Sequence, residues 1–161
     1  MDHPASDPKH QPVSWEVFHR DTKILAGRLL GRCPWKGIVA VTRGGLVPAA
    51  IIARELDIRL IETVCLTSYA QEVKGPIRIV KGAHAAGDGE DWLMVDDLVD
   101  SGATAQEARR LLPNAYFATI YAKPAGKPWV HTFVLDFPQD VWLHFPWDCE
   151  PRYVDPLVGK D

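Results

Sequence analysis

Residues 92–104, Trp-Leu-Met-Val-Asp-Asp-Leu-Val-Asp-Ser-Gly-Ala-Thr, constrain this chain more than any other stretch. Four apolar residues, Trp92 to Val95, run straight into Asp96-Asp97 and then Asp100, and a helical window follows from about Ala103 to Leu112. A short apolar run with no polar alternation is a strand buried on both faces, as in a parallel sheet covered by helices. Adjacent carboxylates at a strand end repel one another. They are tolerable where hydroxyls donate to them or a divalent cation approaches. The turn Ser101-Gly102-Ala103-Thr104 adds two hydroxyls and a row of backbone N–H groups at a helix N-terminus, a ready anion site. One loop therefore reads both a diol and a phosphate, the two ends of a ribose 5-phosphate.

The rest of the chain repeats the strand–helix alternation. Ser14 is placed to cap a helix with Glu16 in its first turn, and Val17, Phe18, Ile24, Leu25 and Leu29 recur near helical spacing until Gly31 and Pro34 close it. Strands are predicted at Gly37–Val41, Arg59–Thr67, Ile77–Lys81 and Tyr116–Ala122, and a helix at about Leu46–Leu56. The segment from Ser68 to Pro76 is polar and reads as a long surface loop, and Gly87-Asp88-Gly89 as a turn. This alternation implies βαβ units, a parallel sheet, and a site at the C-terminal ends of its strands. From Lys123 the texture changes: six prolines and three tryptophans crowd the stretch ending at Pro156, with short strand-like pieces such as Val130 to Leu135. The expected organisation is a disordered leader over residues 1–13 and a single domain over 14–161. Its core spans about 14–122, and a small irregular lobe over about 123–156 packs above the sheet.

Composition excludes several classes. At 161 residues the chain is one domain's worth. Its net charge of −3 argues against a nucleic-acid groove or a polybasic membrane patch. Cys33, Cys65 and Cys149 form neither a disulfide frame nor a zinc pattern. No apolar run approaches the ~20 residues needed to span a bilayer, and the N-terminus is not signal-like, so the cytoplasm is the expected compartment.

A second loop, Thr42-Arg43-Gly44-Gly45, lies between the strand ending at Val41 and the next helix. Glycines allow close backbone approach to a ligand, and arginine can make paired contacts to phosphate oxygens. Beside the acidic loop it becomes a natural diphosphate site. Neither a Walker phosphate loop nor a dinucleotide glycine fingerprint is present.

The string Asp96-Asp97-Leu98-Val99-Asp100-Ser101-Gly102-Ala103-Thr104 resembles the phosphoribosyl-diphosphate signature of the type I phosphoribosyltransferases. The strings Val39–Pro48, Ala53–Leu56, Tyr121-Ala-Lys-Pro-Ala-Gly126, Pro138-Gln-Asp-Val-Trp-Leu143 and Pro146-Trp-Asp148 are similar to its bacterial purine branch acting on xanthine and guanine. The resemblance covers about Ser14 to Gly159. It implies that family's α/β fold, a mostly parallel sheet flanked by helices with a small C-terminal hood.

The implied activity is transfer of a phosphoribosyl group to guanine, xanthine and, more weakly, hypoxanthine, with Mg²⁺, by a homotetramer in the cytoplasm, some relatives associating peripherally with the inner membrane. Carried over residue by residue, Asp96 and Asp97 hold the ribose hydroxyls and the Mg²⁺ environment, Asp97 as metal ligand, and Ser101 to Thr104 bind the 5-phosphate. Thr42 to Gly45 hold diphosphate, through a Thr42–Arg43 peptide that is often cis in the family. Asp100 assists proton transfer at purine N7, Lys123 binds O6, Trp142 stacks on the base, and the carbonyl of Leu143 accepts from a 2-amino group. On the residues alone, a lysine after the Tyr116–Ala122 strand can donate to O6 and would be left unpaired by adenine.

Three departures stand out. After Ser68-Tyr69 the family carries an arginine that reaches diphosphate; here Gly75 aligns with it and Lys74 is the substitute, as a point charge. The stretch between Lys81 and Gly87 is longer than the family's, and Cys149-Glu-Pro-Arg152 replaces more apolar residues. The rivals are a hypoxanthine-preferring transferase of the same fold and a non-catalytic sensor of phosphoribosyl diphosphate.

Overall fold

The computed structural model of the chain describes residues 9–68, 76–150, 152–153 and 158. Strand β1 (His10–Pro12) leads into helix α1 (Trp15–Leu29), then β2 (Gly37–Thr42), α2 (Leu46–Glu55), β3 (Ile61–Ser68) and β4 (Ile77–Lys81). There follow β5 (Trp92–Val99), α3 (Ala103–Leu111), β6 (Tyr116–Ala122), β7 (Leu135–Asp136), β8 (Trp142–His144), β9 (Cys149–Glu150) and β10 (Arg152–Tyr153). The main sheet has the order β4-β3-β2-β5-β6-β7 and is parallel except for the β3–β4 pair. The α/β class and the mostly parallel sheet are as the alternation requires.

Successive residues of each central strand point to opposite faces, and each face has its own helical cover. Ile38, Ala40, Leu93, Val95, Ala118 and Ile120 join Phe18, Leu25 and Leu29 of α1 and Ala49 and Ile52 of α2. Val39, Val41, Met94 and Phe117 join Ala105 and Ala108 of α3. This double cover is why the strands read as unbroken apolar runs. Helix α1 starts where its cap predicts: Ser14 Oγ accepts from the Val17 N–H at 3.2 Å.

Three expectations need correction. First, β5 runs beyond Val95 to Val99, because Asp96, Leu98 and Val99 pair in the ladder with Thr119, Tyr121 and Ala122 of β6. Asp96 and Asp97 therefore belong to the strand, and Asp100 opens the loop after it. Second, Val130 to Leu135 is not a continuous strand; it follows β6 through single hydrogen bonds, such as His131 N–H to Phe117 O at 2.8 Å, and pairs regularly only at Leu135–Asp136. Third, the leader is ordered over its last residues: His10–Pro12 pairs in parallel with Trp142–His144, while residues 1–8 lie outside the described part. The Trp142 N–H donates to Lys9 O at 2.6 Å and the Val13 N–H to His144 O at 2.8 Å.

The C-terminal segment is fastened to α1 by aromatic packing. Phe18, fully buried, meets Tyr121, Phe145 and Trp147 edge-on, and Phe145 stacks on Trp147 at 4.8 Å. Burying one such side chain contributes about 1.5–3 kcal/mol, and the edge-to-face geometry adds to it. Among the described residues no helix is long and apolar enough to cross a membrane.

Candidate active site

Strands β2 and β5 are neighbours, so the two loops singled out in the sequence open at the same sheet edge. They touch. A Cβ on Gly44 would stand 2.5 Å from the Asp97 carboxyl carbon and both of its oxygens, so only glycine lets the β2 loop approach so closely. The Thr42–Arg43 peptide is cis. Thr42 Oγ1 donates to Val64 O at 3.2 Å, and Arg43 is exposed beside the glycines.

Asp96 and Asp97 are half-buried side by side near the end of β5. Burial, and then the neighbouring Asp97, pushes the Asp96 carboxyl well above its usual range. Burial raises Asp97 to about 6, and the nearby charge of Asp148 adds to the shift. Asp96 accepts a hydrogen bond from the Asp97 N–H at 2.9 Å. Such a pair is an oxygen-donor site in want of positive charge, the chemistry that suits a hard divalent cation. Among the described residues no cluster of three or more His, Cys, Asp or Glu side chains stands ready to hold a metal alone. A cation here would complete its shell with water or ligand oxygens, as Mg²⁺ commonly does.

Beyond β5 the turn Ser101–Thr104 lines a cavity of about 100 Å³, walled also by Asp96, Asp100 and Phe117. Gly102 has φ +88°, and a Cβ there would collide with the Trp129 ring at 2.5 Å. The glycine thus lets the turn reverse into α3, whose first residues, Ala103 to Ala105, line the cavity. Ser101 Oγ accepts from the Ala103 N–H at 3.3 Å.

Asp100 and Lys123 meet at the end of β6. Lys123 is 3 % exposed, and its Nζ donates to Asp100 Oδ2 at 3.1 Å. The Lys123 N–H donates to Val99 O at 2.9 Å, which fixes the start of the Lys-Pro-Ala-Gly turn beside the acidic strand. A buried ammonium is costly unless paired, and here the partner is a carboxylate whose side chain is half exposed.

Trp142 is 62 % exposed, so it is not part of the core that Trp147 occupies. In a parallel pair, alternate residues turn their backbone groups to the partner strand. Trp142 and His144 face β1, so the N–H and C=O of Leu143 point to the opposite edge. Lys74 lies outside the described residues, as does Gly75. Two residues of the site region escaped the sequence reading. Asp148, whose charge Asp97 feels, and Gln139, which donates to Asp100 Oδ1 at 2.8 Å, both sit in strings that had been noted only for their likeness to the purine branch.

A sheet with a double-acid strand end, a glycine turn into a helix, and a basic glycine loop touching those acids is the construction of one enzyme class. Residues 34–153 match the model of the phosphoribosyl transferase domain, and the chain belongs to that family. The chain is 56 % identical over 151 residues to a xanthine-guanine phosphoribosyltransferase of Desulfotalea psychrophila, covering 93 % of both chains. It is also 56 % identical over 150 residues to the enzyme of that name from Nitratidesulfovibrio vulgaris, covering 92 % and 91 %. Among solved structures, a purine phosphoribosyltransferase from Pyrococcus horikoshii superposes with a TM-score of 0.75 at 25 % identity, covering 92 % of this chain and 99 % of that one. A Helicobacter pylori xanthine-guanine-hypoxanthine phosphoribosyltransferase, at 24 % identity and TM-score 0.72 over 86 % and 93 %, shares the fold.

Proposed function

We propose that this chain is a purine-salvage enzyme that transfers the phosphoribosyl group of phosphoribosyl diphosphate to guanine and xanthine, and more weakly to hypoxanthine. The products are the nucleoside 5′-monophosphate and diphosphate. The observation that carries the reading is the buried Lys123 ammonium held against Asp100 beside the Ser101–Thr104 turn. In this reading Lys123 is the O6 donor, Asp100 the proton acceptor and the turn the phosphate cradle. The identity to xanthine-guanine enzymes supports the choice of bases and weighs against a non-catalytic sensor.

In this reading the amides and hydroxyls of Ser101, Gly102, Ala103 and Thr104 bind the 5-phosphate, with Leu98 and Val99 shaping the strand end behind them. Asp96 and Asp97 hold the ribose hydroxyls. Thr42, Arg43 and the Gly44-Gly45 amides hold the diphosphate, and Lys74 is assigned to it on sequence alone. Mg²⁺ at Asp97 would supply charge neutralisation for the departing diphosphate. As the bond from the ribose C1 to the diphosphate oxygen breaks, its electron pair leaves with the diphosphate, and the flanking carboxylates favour the positive charge gathering on the sugar. Purine N9 forms the new bond to C1, and the N7 proton passes to Asp100. Lys123 donates to O6, Trp142 stacks on the ring at about 1–3 kcal/mol, and Leu143 O accepts from the 2-amino group of guanine. A homotetramer in the cytoplasm completes the reading by family resemblance.

General acid–base assistance is typically worth about 10²–10⁴-fold. Asp100→Asn is therefore expected to fold and to bind phosphoribosyl diphosphate while losing turnover by about that factor. Steady-state rates beside ligand-binding titrations test it; a variant turning over at the parent rate removes Asp100 from the mechanism.

A further inference from the structure

Both carboxylate oxygens of Asp100 are met by donors. Lys123 Nζ takes Oδ2 at 3.1 Å, and Gln139 Nε2 takes Oδ1 at 2.8 Å. The orientation of the Gln139 amide is not arbitrary. Its Oε1 accepts from the Ala125 N–H at 2.9 Å, so the end that faces Asp100 must be the donating one. The same Nε2 stands 3.5 Å from the Asp100 main-chain oxygen. One side chain thus ties the acidic strand end to the Lys123–Gly126 turn, from a position three residues before Trp142. Gln139 is exposed, so core packing does not account for it.

Asp100 is half exposed itself and would turn freely into solvent if nothing held it. We infer that Gln139 is a positioning residue, which orients the Asp100 carboxylate to receive the purine N7 proton. Each carboxylate oxygen keeps a second lone pair, so occupation by Gln139 and Lys123 leaves room for that proton. As N9 bonds to C1 and the diphosphate departs with its electron pair, the N7–H bond breaks. The proton then joins Asp100 and passes on to water. The inference rests on the role given to Asp100 above, and its test separates the two.

The test compares Gln139→Glu, Gln139→Met and Asp100→Asn in the full chain. Gln139→Glu keeps the length and the acceptor for Ala125 but sets a carboxylate against Asp100. Gln139→Met keeps volume and loses both bonds. A hydrogen bond to a charged group and a misplaced reacting group predict a loss in kcat of about tenfold for Gln139→Met and about a hundredfold for Gln139→Glu. The KM for phosphoribosyl diphosphate and the melting temperature should stay at parent values. In an Asp100→Asn background, Gln139→Glu should cost nothing more, because the carboxylate it positions is gone. Equal, parent-like kcat in both Gln139 variants, with Asp100→Asn inactive, overturns the positioning role alone. So does a matched fall in melting temperature with kcat preserved. An active Asp100→Asn overturns the role of Asp100 and this inference with it.

Discussion

At the scale of single residues the site is built by close approach. Gly44 lies against the Asp97 carboxyl with no room for a methyl group, the added carbon falling 2.5 Å from three of its atoms. Gly44→Ala must therefore move Asp97 or the loop, and displacement of this order in an active site costs about a hundredfold in rate. Gly82→Ala is the natural control, since its nearest neighbours would stand at 3.6 Å. Steady-state kcat/KM for phosphoribosyl diphosphate should fall about a hundredfold in Gly44→Ala and hold in Gly82→Ala; equal behaviour would contradict the contact. Lys123 shows the same logic in polar form. Its ammonium is buried and is held there by the Asp100 carboxylate.

At the scale of elements, the edge segment after β6 carries a pH-sensitive attachment. His131 Nδ1 accepts from the Phe117 N–H at 2.9 Å, and its ring stacks on Tyr116 at 4.6 Å. The residue is exposed as a whole, yet burial of the ring, followed by the charge of Arg109, lowers its pKa below the ordinary value. A depressed pKa means the unfolded chain binds the proton more readily. The stability contributed is present above the unfolded value near about 6.5 and is lost as pH falls through the folded value. Unfolding curves at about pH 7.5 and about pH 5 should show the parent losing more stability than His131→Asn, which keeps an acceptor and does not titrate. Equal losses would remove His131 from the acid response. The β1–β8 pair is the other attachment, and it left no trace in the sequence. Its residues His10, Gln11 and Pro12 carry no apolar alternation, and the pairing is held by backbone bonds to a strand more than a hundred residues away. No periodicity could announce it.

At the scale of the molecule, legibility follows the kind of force involved. The strands at Gly37, Trp92 and Tyr116 were visible because they are buried on both faces, and the helix at Ser14 because its cap is local. The pairing of the two loops could be anticipated because both follow parallel strands that end at one edge. What stayed hidden depends on contacts distant in sequence. The continuation of β5 through Asp96 and Asp97 to Val99 depends on its ladder with β6, and Gln139 looked like one polar residue among several until folding set it against Asp100 and Ala125. The chain's membership of the phosphoribosyl transferase family spans the described sheet and the segment above it.

The central claim is that the site transfers a phosphoribosyl group and selects 6-oxopurines. Its most direct test is base consumption with phosphoribosyl diphosphate and Mg²⁺, with guanine, xanthine, hypoxanthine and adenine assayed side by side. The account predicts turnover of guanine and xanthine, slower turnover of hypoxanthine, and no reaction of adenine. Adenine consumed as fast as guanine, or no base consumed while phosphoribosyl diphosphate binds tightly, would contradict it.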